Sequence, residues 1–312
     1  MTDILTITAN PAVDLSTSIE RILPILKLRG TSQRRDPGGG GINVARVIKR
    51  LGGEASAVYP VGGAMGALLR ELLDGEGVAS QTFAIADETR EDFFVSETST
   101  GQQYRFILPG PRLNEAEWQE CLILVSSIEP FPRFVVASGS LPAGVPDDFY
   151  ARIARIAKQR GARMVIDTSG AALAAAVDEG VDLIKPNLRE MRELSGAEPS
   201  DAREWEEAAK AIGRDKRIPV IALTMGHLGA ALVTHDRILR AKPLEITPLS
   251  SAGAGDSFLA ALIWQLALNA DLADGFRQAV AAGAAALLNP GTELCRPQDV
   301  RRLAADVTIE AG

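Results

Sequence analysis

Short runs of β-branched and other apolar residues alternate with amphipathic stretches along almost the whole chain of 312 residues. The stretches 147–159 and 201–214, for example, have the apolar spacing of helices. Strands that alternate with helices and lack polar alternation belong to parallel sheets covered on both faces. The sequence therefore predicts an α/β fold with a mostly parallel sheet, whose strands are 4–8, 55–61, 134–137, 163–166, 182–184 and 220–223.

Two segments interrupt this alternation. Residues 15–35 contain few helix signals, and residues 92–108 form two β-rich runs around the turn Ser99-Thr100-Gly101, which predicts a hairpin. We expect the insertions, about 12–35 and 88–110, to build a small β-sheet that projects from the main domain as a lid. Two unconnected surface excursions are the alternative. No linker rich in Pro, Gly or Ser divides the chain, so a single domain is expected.

Composition excludes several functional classes. The 40 acidic and 33 basic residues give a net charge of −7, which provides no general attraction to nucleic acid or to an anionic membrane. Cys121 and Cys295 are far apart, and only His227 and His235 are available, so a disulfide framework or a histidine-ligated metal centre is not expected. The sequence lacks an uninterrupted apolar stretch of membrane-spanning length and the features of a signal peptide. A cytoplasmic protein is therefore expected.

A run of four glycines, Gly38 to Gly41, leads into a helical pattern that ends at about Leu51. Glycines allow a ligand to approach the backbone closely, and the start of a helix offers unpaired amides. The run does not match the dinucleotide-binding fingerprint, because Asn43 stands where its last glycine would be. Both a binding loop and a plain flexible turn are compatible with this pattern.

The segment Gly253-Ala254-Gly255-Asp256 opens an apolar helical pattern over 253–268, and a second such pattern covers 272–288. Backbone amides at the positive end of a helix suit the negative charge that develops during phosphoryl transfer. The Asp256 carboxylate would then accept a proton from a substrate hydroxyl. Alternatively, Asp256 only complements the helix dipole in the first turn.

Two further motifs follow predicted strands. Asn187 and Glu190, three residues apart at the start of a helix, form either a capping box or an oxygen-ligand pair that orients Mg²⁺ through water. Thr224, Gly226 and Gly229 follow the strand 220–223, where they suit contact with nucleotide phosphates but are equally typical of a turn.

Four cationic residues lie in the two insertions or beside them. Arginine side chains suit a phosphate monoester, although a solvated surface charge is the simpler interpretation of each residue alone. The four residues are Lys27, Arg29, Arg90 and Arg105.

Four motifs in a fixed order resemble the ribokinase-like (PfkB) family of sugar kinases over roughly residues 3–300. They are Asn10-Pro11-Ala12-Val13-Asp14, the glycine run with Asn43, Lys185-Pro186-Asn187 followed by Glu190, and Gly253-Ala254-Gly255-Asp256. The resemblance implies a single kinase domain over 1–312, with a ribokinase-like three-layer α/β/α sandwich and a small β-sheet as lid. Segments such as Gln103-Tyr104-Arg105-Phe106 are most similar to those of members that use fructose 6-phosphate.

The implied reaction is ATP-dependent phosphorylation of fructose 6-phosphate at its 1-hydroxyl group, which gives fructose 1,6-bisphosphate in glycolysis. In this reaction Asp256 would be the general base, and the amides of Gly253, Ala254 and Gly255 would form the anion hole. The sugar hydroxyls would be held by Asp14, Gly39, Asn43 and the nearby Ser138. The phosphate already on the sugar would be bound by Arg90 and Arg105 with Lys27 and Arg29.

The resemblance also implies cofactors and their ligands. Glu190 would organise Mg²⁺ through water. ATP would be bound by Lys185, Asn187, Thr224, Gly226 and Gly229. A monovalent cation such as K⁺ would lie against the backbone of Ser250, Ala252, Ala286, Asn289 and Gly291. By analogy, a homodimer through the lid edges is expected, because exposed hairpin edges tend to pair.

Four positions depart from the family pattern. Ser251-Ala252 stands where Thr-Val is usual, Thr224 replaces a usual serine, and Glu293 occupies a position that is usually basic. Within the family, a tagatose-6-phosphate kinase or a 1-phosphofructokinase is the alternative. Outside it, the alternatives are a catalytically idle regulator that binds sugar phosphates and an NAD-binding oxidoreductase, which the missing fingerprint disfavours.

Overall fold

The computed structural model describes residues 3–311 and alternates strands with helices over most of this range. The strands are β1 (Ile4–Ile7), β2 (Ala12–Ile19), β3 (Arg34–Gly38), β4 (Ser56–Val61), β5 (Ala79–Ala84), β6 (Arg90–Glu97), β7 (Gln103–Phe106), β8 (Phe134–Ser138), β9 (Arg163–Asp167), β10 (Leu183–Ile184), β11 (Val220–Thr224), β12 (Ala230–Thr234), β13 (Ile238–Ala241) and β14 (Ile309–Ala311). The helices are α1 (Gly40–Arg50), α2 (Gly63–Gly75), α3 (Glu115–Ser127), α4 (Phe149–Gln159), α5 (Gly170–Glu179), α6 (Leu188–Ser195), α7 (Ala202–Asp215), α8 (Ala254–Ala267), α9 (Leu272–Leu287) and α10 (Pro297–Ala304).

The main sheet has the strand order β14-β13-β12-β11-β10-β9-β8-β1-β4-β5. Neighbouring strands from β11 to β5 in this order are parallel, whereas β12, β13 and β14 extend the sheet in antiparallel fashion at one edge. Each of the predicted strands is present, with bounds within one residue of those expected. The predicted mostly parallel sheet is therefore confirmed.

Helices cover both faces of the main sheet because successive strand residues point to opposite sides. On one face, Ile4 and Val136 belong to a core that includes α1, α8 and α9. On the other face, Leu5 and Val135 belong to a core that includes α4 and α5. The helices α8 and α9, predicted to be buried from their apolar composition, pack against each other within the first core. The result is the expected three-layer sandwich.

A second sheet, called the small sheet below, has the order β3-β2-β6-β7. β2 pairs antiparallel with β3 and parallel with β6, while β6 and β7 form the predicted hairpin. The two insertions therefore do combine into one sheet. Strand β3 continues to Gly38, so it extends into the glycine run, which the sequence assigned entirely to a loop.

The carboxyl ends of the parallel strands meet at one edge of the main sheet, where open α/β sheets bind their ligands. Ser138, Asp167 and Thr224 end three of these strands, and Lys185 directly follows a fourth. The short connection from β1 to β2 starts at the same edge and leads into the small sheet. No helix within residues 3–311 has both the length and the apolar character needed to cross a membrane.

Candidate active site

Two helix N-termini meet at the centre of the candidate site. α1 begins at Gly40 and α8 begins at Ala254, and the Asn43 Nδ2 of α1 donates a hydrogen bond of 2.8 Å to Asp256 Oδ2 of α8. A Cβ atom at position 40 would lie 2.2 Å from Ser138 Oγ, so α1 can approach the end of β8 only with glycine there. The glycine run and the Gly253–Asp256 motif thus form one site.

A buried ion pair lies beside Asp256. Lys185 Nζ is 3.1 Å from Asp167 Oδ1, and Ser138 Oγ donates to Asp167 Oδ2 at 3.3 Å. The Lys185 ammonium group borders the first turn of α8, because a Cβ atom at Gly255 would lie 3.2 Å from Nζ. A cation therefore faces the same side of the α8 N-terminus as the Asp256 carboxylate.

The pKa of Asp256 is raised to about 6 by burial and by the negative charge of Asp167. The hydrogen bond from Asn43 and the charge of Lys185 act in the opposite direction. Asp256 is therefore ionised at neutral pH but is more basic than an ordinary aspartate. A carboxylate with a raised pKa can act as a general base toward a hydroxyl group.

A second group of carboxylates lies where the small sheet joins the main domain. Asp14 and Asp92 face each other across paired strands β2 and β6. Burial, followed by the charge of Asp92, raises the pKa of Asp14 to about 8, so Asp14 carries a proton at neutral pH. A Cβ atom at Gly38 would lie 2.4 Å from the Asp14 carboxylate, which brings Asp14 next to the glycine run and Gly39.

Two of the four predicted phosphate-binding cations lie near Asp14. Arg90 is 3.6 Å from Asp92 and donates to the Asn10 carbonyl oxygen, while its Nε atom is buried without a hydrogen-bond partner. Burial lowers the pKa of Arg105, and the charge of Asp14 opposes this effect, so Arg105 lies within the electrostatic reach of Asp14. These two arginines and Asp14 form a polar region where the small sheet joins the main domain.

The other two predicted cations occupy a different environment. Lys27 and Arg29 are exposed in the connection between β2 and β3. Neither side chain makes a hydrogen bond or an ion pair with another residue of the range 3–311. Their role in phosphate binding stays a prediction that this single chain does not support by contact.

The predicted nucleotide-binding residues are brought together at the ends of β10 and β11. Asn187 and Glu190 form a reciprocal capping box at the start of α6, with hydrogen bonds of 3.0 and 2.9 Å. Thr224 donates through its backbone N–H to the Pro186 carbonyl oxygen, next to Asn187. Gly226 and Gly229 bound a short 3₁₀ turn directly after Thr224.

The pKa of Glu190 bears on metal binding as well as on helix capping. Burial raises the pKa of Glu190, and the negative charge of Asp167 raises it further. The charges of Glu190 and Asp167 thus repel each other, and both interact with the charge of Lys185. A divalent cation would relieve this repulsion, so the donor set fits Mg²⁺.

The predicted monovalent-cation residues come from the loop before α8 and from the end of α9 with the loop that follows it. The Ser250 hydroxyl donates to the Gly291 carbonyl oxygen at 2.7 Å and accepts from the Ala252 N–H, while the Asn289 N–H donates to the Ala286 carbonyl oxygen. The oxygen-rich backbone brought together here fits a hard cation.

The departure at Glu293, next to the same loops, has a local explanation. Its carboxylate pairs with Arg34 at 3.2 Å and with Arg296 at 2.8 Å. The acidic side chain therefore ties the loop to β3 of the small sheet and is neutralised there.

Asp167 is a site residue that the sequence analysis missed. The predicted strand ended at residue 166, one position short of the observed end of β9. The signal was available, because the first polar residue after an apolar parallel strand lies at the ligand-binding edge of the sheet.

Comparison with known proteins first defines the class. The crystal structure of phosphofructokinase-2 from Escherichia coli in complex with potassium matches this structure with a TM-score of 0.93 and 39% identity, covering 98% of this chain and 99% of that chain. The fold is therefore that of the ribokinase-like sugar kinases, as the sequence motifs predicted. A model described as pfkB family carbohydrate kinase matches residues 3–299, and the chain belongs to this family.

Relatives within the family carry different names, among them 6-phosphofructokinase isozyme 2 and 1-phosphofructokinase. ATP-dependent 6-phosphofructokinase isozyme 2 of Mycobacterium tuberculosis is 42% identical over 308 residues, which cover 98% of this chain and 91% of that protein. A 1-phosphofructokinase of Xanthomonas campestris is 33% identical over 315 residues, with 98% of each chain covered. The chain is thus a carbohydrate kinase with full-length relatives of both names.

Proposed function

We propose that this kinase transfers the γ-phosphoryl group of ATP to the 1-hydroxyl group of fructose 6-phosphate. The observation that carries the proposal is that the glycine run connects the two groups: Asp14 lies against Gly38, and Asn43 of the helix that follows the run bonds to Asp256. A sugar phosphate bound to the two arginines near Asp14 would direct its far hydroxyl group toward Asp256. The name of the M. tuberculosis relative supports fructose 6-phosphate as the acceptor.

The residues suggest the following chemistry. Asp256 takes the proton of the 1-hydroxyl group, and the hydroxyl oxygen forms a bond with the γ-phosphorus as the bond to the bridging oxygen of ADP breaks. The amides of Gly253, Ala254 and Gly255 and the Lys185 ammonium group stabilise the negative charge on the moving phosphoryl group. Asn43 holds Asp256, and Ser138 and Gly39 lie beside the sugar hydroxyls.

Mg²⁺ would be held through water by Glu190, with Asp167 beside it, and it would neutralise charge on the ATP phosphates when bound. The part of the chain that the structure describes contains no group of three or more His, Cys, Asp or Glu residues suited to a metal ion. Mg²⁺ would therefore take most of its ligands from phosphates and water. K⁺ or a similar ion would be held by the carbonyl oxygens around Ser250 and Gly291.

The small sheet would act as a lid over this reaction. Arg105 Nη2 lies 3.0 Å from Ser251 Oγ, and Gln103 Oε1 lies 3.0 Å from Ser250 Oγ, so β7 contacts the loop that leads to α8. This contact would connect the proposed sugar-binding region on the small sheet with the α8 N-terminus, where the phosphoryl group would be transferred. A closed lid excludes water, and ATP hydrolysis is thereby suppressed.

A substrate panel tests the proposed acceptor. We expect kcat/KM for fructose 6-phosphate to exceed that for tagatose 6-phosphate, fructose 1-phosphate and fructose by about tenfold or more, because the lost contacts each contribute about 1–3 kcal/mol. ADP formation coupled to NADH oxidation reports each rate. A preference for fructose 1-phosphate would favour the 1-phosphofructokinase alternative, and turnover of none of the sugars would favour a regulator.

The edge of the small sheet also predicts association with a second copy of the chain. Phe106 is exposed on the edge strand β7, and Ile25 and Leu26 are exposed in the connection between β2 and β3. We expect a homodimer in sedimentation experiments and a shift to monomer in the double variant Ile25→Glu/Phe106→Glu, because charges in an apolar interface prevent its burial. Leu268→Glu, at the exposed end of α8, is the control and should remain dimeric. A monomeric wild type would contradict the prediction.

A further inference from the structure

Arg46 is a fully buried charged residue for which neither the motifs nor the proposed chemistry gives a role. It lies on α1, three residues after Asn43, and its side chain has no exposed surface. A buried guanidinium group is tolerated only where partners satisfy its charge and its donors. The partners of Arg46 therefore indicate what the residue does.

The guanidinium group of Arg46 connects three elements. Nη1 donates to the Pro37 carbonyl oxygen at 2.6 Å and to Asn43 Oδ1 at 3.2 Å. Nε and Nη2 donate to Glu76 Oε1, directly after α2, at 2.9 and 2.5 Å. Nη2 also lies 3.4 Å from Asp36 Oδ1 on β3. Among the predicted site residues, Arg46 forms a hydrogen bond with Asn43, and its charge also acts on Asp14.

We infer that Arg46 is a positioning residue that fixes the orientation of the Asn43 amide toward Asp256. The amide oxygen and nitrogen of asparagine are nearly equal in size, so shape alone does not select one orientation. Arg46 has donors and no acceptor, so only the Asn43 oxygen can face it. The Asn43 NH₂ group must then face the carboxylate, as the 2.8 Å contact with Asp256 Oδ2 shows. The inference rests on the proposed role of Asp256 as general base.

The orientation of the Asn43 amide determines whether Asp256 is free to accept a proton. With one Asp256 oxygen occupied by the Asn43 donor, the other oxygen is available to accept the proton of the substrate hydroxyl. A reversed amide would place an oxygen against the carboxylate, and the proton would then be held between Asn43 and Asp256. Arg46 would therefore keep Asp256 in its ionised, proton-accepting form.

The electrostatics agree with this geometry. Asp256 faces the negative charge of Asp167, the positive charges of Lys185 and Arg46, and the Asn43 amide, and the charge of Arg46 lowers its pKa. The charged and titratable groups around Arg46 itself are Glu76, Asp36, Asp14, Arg34 and Arg50. Burial alone would raise the pKa of Glu76, but the hydrogen bond and charge of Arg46 lower it, so Glu76 is the ionised partner that anchors Arg46.

Arg46 and Arg50 both bond to Glu76, so substituting each in turn separates the positioning of Asn43 from structural support of this region. Arg50 also bonds to Glu76, at 3.3 Å, but makes no hydrogen bond to Asn43. We expect Arg46→Met to lower kcat about 10–100-fold with KM for ATP changed less than threefold, and to shift the acid limb of the kcat profile to higher pH. Arg50→Met should keep the wild-type kcat and pH profile. A wild-type kcat in Arg46→Met would overturn the inference.

A double-mutant cycle tests whether Arg46 acts through Asn43. Arg46→Lys keeps the charge but lacks the planar fork, so it is the variant to use if Arg46→Met fails to fold. In an Asn43→Ala background, Arg46→Lys should change kcat by less than twofold, because the amide that it orients is absent. Additive effects on kcat would overturn the inference.

The role of Arg46 can be tested whichever sugar is the acceptor. If another sugar proves to be the acceptor, the same cycle is run with that sugar. If no sugar is turned over, the pKa of Asp256 is read directly by NMR of ¹³C-labelled aspartate. This pKa should rise in Arg46→Met and stay unchanged in Arg50→Met; an unchanged pKa in both variants would contradict the inference.

Discussion

Asp256→Asn is expected to lower kcat by about 10²–10⁴-fold while ATP still binds. The amide has nearly the same shape as the carboxylate and still accepts the hydrogen bond from Asn43, but it cannot take a proton from the acceptor hydroxyl. The binding residues at the ends of β10 and β11 are untouched, so the affinity for ATP measured by calorimetry should change little. A turnover near that of the wild type would remove Asp256 from the mechanism.

The same substitution should stabilise the fold at alkaline pH. The pKa of Asp256 is about 6 in the folded protein, against the ordinary aspartate value of 3.8 that applies to the unfolded chain. Because the folded value is higher, Asp256 contributes its full stability below about pH 4, and this contribution is lost as the pH rises through 6. At pH 8, Asp256→Asn should therefore raise Tm by a few degrees, about 2–4 °C per kcal/mol.

A matched control is available on the adjacent helix. Asp274 lies in the first turn of α9, as Asp256 does in α8, but Asp274 is exposed to solvent. Asp274→Asn should leave both kcat and the pH dependence of Tm near their wild-type values. A loss of activity in this control would show that a negative charge in any first helical turn, rather than the Asp256 base, is responsible.

Arg90→Ala is expected to lower kcat/KM for fructose 6-phosphate by about 10–100-fold, mainly through KM. The magnitude follows from losing a charge-assisted hydrogen bond, which contributes about 1.5–3 kcal/mol. The buried, unpartnered Nε atom of Arg90 is the atom that a phosphate oxygen would satisfy. Steady-state kinetics with fructose 6-phosphate and with fructose measure the effect.

Comparing the two sugars isolates the phosphate contribution. Arg90 also holds the Asn10 and Leu108 carbonyl oxygens, so a general disturbance of the small sheet would weaken both substrates. If Arg90 binds the phosphate, the variant should lose activity on fructose 6-phosphate but little on fructose. Arg35→Ala, exposed on β3 beside Glu91, is the control with little expected effect. Equal losses on both sugars would contradict phosphate binding.

The sequence predicted the parallel strands because continuous apolar runs such as 134–137 can be buried only inside a covered sheet. It did not predict β5, whose residues alternate between partly buried and exposed because it forms an edge of the main sheet. The small sheet was foreseen from the hairpin around Gly101, although pairing between β2 and β6 depends on contacts 78 residues apart, such as Ala12 with Arg90.

The sequence predicted the local arrangement of those candidate site residues that lie within one short motif. Asn187 and Glu190 show the reciprocal capping bonds that their spacing predicted. The complete burial of Arg46 could not be predicted from the sequence around it on α1. Its burial depends on contacts with Glu76, Asp36 and Pro37, which belong to other parts of the chain. Lys27 and Arg29 were grouped with Arg90 by their charge and by the family resemblance, and their part in phosphate binding stays a prediction.

The contacts of Gln103 and Arg105 with Ser250 and Ser251 have a consequence for protein engineering. Any chimera that exchanges the small sheet between family members, in order to change which sugar is accepted, separates these side chains from the loop with which they are matched. Since that loop runs directly into α8, the mismatch would disturb the helix end that carries Asp256. Grafts for new sugar selectivity should therefore transplant residues 248–251 together with the strands.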